Sequence, residues 1–297
     1  MDITKQTLSS LYTAVNAAFA RGIAMHSPQW ERIATEMPSS TSQENYEWLG
    51  EFSALKKWIG ERQINKAKAH SYAIKNEKYE GTEGIPADYI EDNRYPALMK
   101  KFEDMGYAAQ THPDQLVFAL LANGFTQTCY DGQYFFDTDH PVGKEGQEQS
   151  VSNMQAGSNA AWFLLDTRRP LKPLIFQKRR DYRLQAKTDA GNSDHVFMTD
   201  EYLYGVDARV NAGFGFWQLA FGSKATLDES NFNSAMETMM GYESDQGRKL
   251  GVMPNLLVVG PKNRAKAKAV IEAENKAQGE SNTNFKAVDV LVVPWLD

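Results

Sequence analysis

The apolar positions of this chain change period several times, and each change predicts an element. In residues 3–23, Leu8, Leu11, Val15, Phe19 and Gly22 or Ile23 recur at three- and four-residue steps, the stripe of an amphipathic helix. Asp2 stands where an N-cap is expected. Residues 36–45 are polar and rich in Ser and Thr, and read as exposed loop. Residues 46–79 set Trp48, Phe52 and Trp58 among many charges, and the alternation of Ile64, Tyr72, Ile74 and Tyr79 favours an extended β-hairpin or arm. Such an arm cannot bury its own tryptophans and calls for a surface from another domain or subunit.

Residues 95–123 carry the longest helical seam: Leu98, Phe102, Met105, Ala109, His112, Leu116, Leu120 and Asn123. Pro113 interrupts it. Proline removes a helical donor, so the seam predicts one long kinked helix or two nearly collinear ones, ending at Gly124. From residue 160 the texture turns β-rich. AWFLLDTRRPLKPLIFQ reads as strand, turn, strand; HVFMTDEYLYGVDARV and FGFWQLAF follow as strands or short helix. A helix is expected over 228–247 with Asp228 or Ser230 as cap, a buried strand at LLVV (256–259), a helix from Pro261 to about Lys276, and a last strand in VDVLVVPWLD. GQEQSVSNMQAGSN (146–159) is the best loop or boundary. The pattern is mixed α/β without an internal repeat.

Length and charge narrow the function. The chain has 297 residues, 42% hydrophobic and 24% charged, with a formal net charge of -6. An acidic balance argues against a dedicated nucleic-acid binder. Cys129 is the only cysteine, so neither an internal disulfide nor a Cys-rich zinc site can form. MDITKQTLSS lacks the basic-then-apolar layout of a secretory signal, and no apolar run approaches the ~20 residues of a membrane span.

The stretch YDGQYFFDTDHP (130–141) is the strongest candidate for chemistry. Asp137, Asp139 and His140 could ligate a divalent metal, which would make the protein a metal-dependent hydrolase. Nothing like HExxH or a second histidine cluster supports them. The favoured reading is a bent loop: Asp131-Gly132 as a turn, Phe135 and Phe136 as anchors, and aspartates bonding nearby amides. His112 is expected to be packed and hydrogen-bonded, Cys129 to be a small buried hydrophobe, and His26, His70 and His195 to lie on surfaces or loops. NAGFGFWQ (211–218) is not a phosphate cradle, since Gln218 stands where a third glycine would be; its glycines suggest close backbone approach in a sheet. The basic clusters Lys178–Lys187 and Lys262–Lys268 read as solvated faces or inter-subunit ion pairs. No catalytic, cofactor or metal residue is therefore assigned.

The stretches NYEWLG, WIGER, IEDN, HPDQLVFALL, CYDGQYFFDTDHPVG, WFLLDTRRPLKPLIFQ, EYLYGVDARVNAGFGFWQLAFGS and LLVVPWL, in that order over residues 45–296, resemble the Mu-like phage and prophage major head subunit family, gpT. The resemblance implies an α+β major capsid protein of the Hong Kong 97-type fold. Its parts would be an N-terminal arm (1–42), an E-loop hairpin (43–90), a P-domain with a spine helix (91–150) and an A-domain (151–297) returning strands to the P-domain. It implies self-assembly through hexamers and pentamers into an icosahedral or prolate shell around packaged double-stranded DNA. A separate scaffolding protein, a portal and a decoration protein are the expected partners, with assembly in the bacterial host cytoplasm and no membrane. Trp48, Phe52, Lys57, Trp58, Arg62 and Tyr72 are the residues expected at the subunit interface. A nanocompartment shell of the same fold is the alternative.

Overall fold

The structure is a computed structural model, and it describes residues 2–50, 52, 72–144, 146–189, 193–276 and 279–296. Helix α1 (Lys5–Ala24) buries Leu11, Val15, Ala18, Phe19 and Gly22. Its cap is Thr4 rather than Asp2: the Thr4 hydroxyl accepts from the Thr7 amide at 3.1 Å, and Asp2 contributes only its carbonyl. Helix α2 (Met99–Asn123) starts four residues later than the seam suggested, because Tyr95–Leu98 form a 3-10 turn. It runs through Pro113 as one element and ends at Gly124. In its second half Val117, Phe118 and Leu121 are fully buried while Leu116 and Leu120 are partly so. The apolar arc is wider there than a single seam, because the core wraps that half more closely.

The two helices cross through glycines. A Cβ on Gly22 would lie 1.8 Å from the Glu103 carbonyl oxygen, and one on Gly106 would lie 2.1 Å from that of Phe19. Glycine is required at both places because backbone rests on backbone. Flanking polar groups lock the crossing. Arg21 bonds the buried carboxylate of Glu103 at 2.9 Å. Asp114, fully buried, accepts from the Gln29 and Trp30 amides at 2.9 and 2.7 Å and meets His26 Nε2 at 2.6 Å. His26, in the loop after α1 as expected, is thus tied to a buried partner.

Two principal sheets follow. The long one orders its strands Ala34–Pro38, Leu174–Lys187, Glu201–Phe214 and Glu77–Pro86. The first pair is parallel and the other two are antiparallel. The compact one orders Asp289–Val292, Leu256–Val259, Trp162–Leu165, Ala220–Ser223 and Met154–Gln155. WFLL and LIFQ, close in sequence, therefore belong to different sheets; each is completely buried and finds its partners far along the chain. Segment 146–159, expected as loop, instead supplies two short strands, Gln149–Val151 and Met154–Gln155. The last helices are shorter than expected: Glu229–Met240, capped by Asp228, and Arg264–Ala267 followed by a π-helical turn to Glu272. Met240, at the end of the first of them, is half exposed.

The larger core joins both sheets to the second half of α2; a smaller one gathers Leu11, Val15, Phe102, Ile85 and Tyr204 where α1 and α2 cross the outer half of the long strands. Replacing Gly22 or Gly106 with alanine is expected to destabilise the protein by about 1–3 kcal/mol through overpacking. Thermal unfolding measures the loss, and proteolysis should cut first within residues 5–24, the segment released.

Candidate functional site

The base of the arm is built from outside inward. Strands Gln43–Asn45 and Ala73–Lys75 pair antiparallel and carry the chain out and back. Tyr46, buried, donates its hydroxyl to Gln177 Oε1 at 2.8 Å, and the Gln177 amide donates to the Ile74 carbonyl at 3.0 Å and Asn76 Oδ1 at 2.9 Å. Tyr72, one of the residues expected at an interface, has its hydroxyl turned to its own chain, where it accepts from the Phe214 amide at 2.7 Å. Burial pushes that phenol well above its ordinary value, so it stays a neutral hydrogen-bonding group. Phe52 also packs on its own chain, stacked on Phe216 at 4.3 Å with the Arg169 guanidinium 5.0 Å from its ring centre. Both contacts are ordinary aromatic burial, satisfied within one subunit. Trp48 is different. It touches Tyr46 and Phe216 edge-on at 6.1 and 6.4 Å yet is 43% exposed. Lys57, Trp58 and Arg62 lie outside the described residues.

The acidic loop is closed on itself by hydrogen bonds. Asp137, Asp139 and His140 do not converge. Asp137 spends its two oxygens on the amides of Tyr134 and Thr138, at 3.2 and 2.7 Å. Asp139 is exposed; partial desolvation and the neighbouring Asp137 charge raise its carboxyl above the ordinary value. His140 turns completely inward and stacks on Trp217 at 4.0 Å. Among the described residues, the group of metal-type ligands that does converge is Cys129, Asp131 and His140, with ligand atoms within 4.8 Å.

Protons fill that space. His140 Nδ1 meets Asp131 Oδ2 at 2.7 Å, and its Nε2 meets Asn153 Oδ1 at 3.2 Å. Asn153 donates from its Nδ2 to the Phe135 and Ala220 carbonyls at 2.8 and 3.2 Å, which points its Oδ1 at the ring. Both imidazole nitrogens therefore face hydrogen-bonding side chains. The Cys129 thiol donates to Asp131 Oδ1 at 3.1 Å. Burial, reinforced by the Asp131 charge, pushes it far above the ordinary thiol range, which makes it a poor nucleophile. The three side chains are hydrogen-bonded to one another or to Asn153, and the cluster closes the loop against the compact sheet. Asp131, read only as half of a turn, is its centre; its bond to His140, which in turn reaches Asn153, is a spatial fact without a sequence signal.

The other candidates resolve as packing. His112 shares a hydrogen bond with the Tyr182 hydroxyl and meets the Tyr79 ring edge-on at 4.3 Å, and burial lowers its basicity. A Cβ on Gly213 would lie 2.1 Å from Ile74 Cδ1, the close approach its aromatic surroundings suggested. Part of the first basic cluster pairs within the chain: Lys178 with Glu36 at 2.9 Å, and Arg180 and Arg183 with Asp207.

With this geometry established, similarity to known proteins adds the identity of the whole. Residues 8–296 match the family described as Mu-like prophage major head subunit gpT. The major capsid protein of Escherichia phage Mu is 38% identical over 291 residues, 96% of this chain and 95% of that one. A chain of the bacteriophage JBD30 procapsid is 43% identical, covers 99% of this chain and 100% of its own, and superposes with a TM-score of 0.88. A chain of the JBD30 capsid decorated with minor capsid protein trimers is 33% identical over 92% of this chain and 93% of its own, with a TM-score of 0.76.

The ion pair gives a pH signature. Burial opposes the Asp131 charge, but hydrogen bonds from His140, Cys129 and the Gln133 amide outweigh it and hold the carboxyl below its ordinary value. A carboxyl depressed on folding stabilises the fold above the unfolded value, about 4, and that contribution is lost as pH falls through the folded one. Asp131→Asn should cost about 3 kcal/mol at neutral pH by stranding His140, and its denaturant midpoint should vary less between pH 5 and 3 than that of the parent.

Proposed function

The chain belongs to the Mu-like prophage major head subunit gpT family, and from that premise we infer its work. It is a major capsid protein of a phage head, a virion component with the Hong Kong 97-type fold, and its copies associate into a shell. No helix among the described residues is long and apolar enough to cross a membrane.

The finer reading is ours. Residues 1–42 act as the N-terminal arm, 43–90 as the E-loop, 91–150 as the P-domain with α2 as its spine, and 151–297 as the A-domain with strands returning to the long sheet. Hexamers and pentamers close an icosahedral or prolate shell around double-stranded DNA in the host cytoplasm. A separate scaffolding protein and a portal take part, and a decoration protein binds the finished head, as trimers of a minor capsid protein do in JBD30. The work is assembly rather than catalysis.

The observation that carries this reading is Trp48. A rigid arm base holds the largest side chain at the edge of the body with 43% of it exposed. Covering the rest of it is worth at most ~2–3 kcal/mol. One such contact is reversible, and a symmetric shell repeats it in every subunit. The interface is accordingly assigned to Trp48 with Lys57, Trp58 and Arg62, while Phe52 and Tyr72 serve the base. Trp48→Ala should leave the unfolding temperature nearly unchanged and sharply reduce closed shells in electron micrographs of protein expressed with its neighbouring genes. Normal shell yield would remove Trp48 from the interface.

A further inference from the structure

Cys129 and Asp131 stand two residues apart on a tight turn. The Cys129 amide donates to the Gln133 carbonyl at 2.8 Å, the Gly132 amide donates to the Cys129 carbonyl at 3.2 Å, and Gly132 takes the left-handed φ of 90° that such a turn favours. The turn brings both side chains together beside His140, the first residue of strand His140–Val142. The Cys129 sulfur lies 3.1 Å from one carboxylate oxygen of Asp131, and His140 Nδ1 lies 2.7 Å from the other. All three ligand atoms fall within 4.8 Å of one another. Around a tetrahedral zinc, bonds of about 2.0–2.3 Å set neighbouring ligand atoms about 3.3–3.6 Å apart. The cluster would have to open by only about half an ångström to hold one.

The imidazole is already set for such a role. Its Nε2 lies 3.2 Å from Asn153 Oδ1, and Asn153 is held by donating its Nδ2 to the Phe135 and Ala220 carbonyls. Nε2 therefore carries a proton, and Nδ1 is the atom turned to the cluster. A ligating histidine is ordinarily fixed by a bond of this kind from its other nitrogen. Stacking on Trp217 at 4.0 Å, with the planes 11° apart, keeps the ring from swinging. Charge balances as well. Without a metal, the Asp131 carboxylate, a His140 imidazolium and a neutral Cys129 thiol sum to zero. With a divalent cation, the carboxylate, a neutral imidazole and a thiolate sum to zero again. The cation replaces two protons, from Sγ and from Nδ1, and both pass to solvent. No net charge is added to the interior, so the usual cost of burying an ion is avoided. Thiolate with imidazole suits zinc and not the hard cations magnesium or calcium. Asp131 is partly exposed beside exposed Gly132, which gives an ion a way in. We propose that Cys129, Asp131 and His140 bind a zinc ion that staples the 129–133 turn to strand His140–Val142, with water as the fourth ligand.

Titrating the full chain with zinc and with cobalt tests the site. Elemental mass spectrometry of the washed protein should find stoichiometric metal, and a weakly buffered titration should release two protons for each ion bound. The cobalt form should show a thiolate-to-cobalt charge-transfer band in the near ultraviolet, and loading should raise the unfolding temperature. Cys129→Ser should lose the band and bind at least tenfold more weakly. Asp139→Asn, at an exposed carboxylate outside the cluster, should keep both. Substoichiometric metal in the parent chain, a cobalt complex without the thiolate band, or a Cys129→Ser chain that binds as tightly as the parent would each overturn the site. The parent titration requires no substitution, so it decides the matter even if Cys129→Ser does not fold.

Discussion

A single buried amide fixes where the arm leaves the body. Gln177, with no exposure, reaches from the long sheet to Tyr46 on the outgoing side of the base and to Ile74 and Asn76 on the returning side. A buried amide with unmet hydrogen bonds is costly, so the base cannot swing without stranding it. Everything that depends on the arm meeting another subunit depends on this bracket, because a limb that pivots freely would have to be ordered again at every contact. Phe52 on Phe216 and Tyr72 on Phe214 tighten the same joint. These aromatics belong to the described base, and Trp48 beside them keeps an exposed face.

The second dependence is the crossing of α1 and α2. Two glycines bring the helices into backbone contact, and Asp114 ties the chain after α1 to the middle of α2. Close packing of this kind transmits position. Helix α1, α2 and the outer half of the long sheet are therefore packed as one block. The large contiguous core does the same for the compact sheet.

Residues that look chemical turn out to serve closure. Asp131, His140 and Asn153 satisfy one another and the backbone around them, and His112 completes a Tyr79–Tyr182 cluster on the sheet. Buried charges in such a network are tolerated because each is paired and hydrogen-bonded. Modest surface contacts multiplied by symmetry, on a subunit made internally stiff, suit a shell that must correct errors while it forms and hold afterwards.

Much of this was legible along the chain. The apolar pattern located α1, α2 and the LLVV strand, and local residue type narrowed the cap of the Glu229–Met240 helix to Asp228 or Ser230, because a helix or a buried strand writes its spacing into local sequence. Composition and the lone cysteine narrowed the chemistry, and the ordered motifs over residues 45–296 identified the family. Partnership across distance was not legible. That WFLL and LIFQ part into different sheets, that Thr4 and not Asp2 caps α1, that His26 meets Asp114, and that Asp131 rather than Asp137 holds His140 are all outcomes of packing. A sequence records which residues want burial or a hydrogen bond, since that want is a property of the side chain. Which partner satisfies it is decided only when the chain closes on itself, because the competing partners differ in position and not in chemistry.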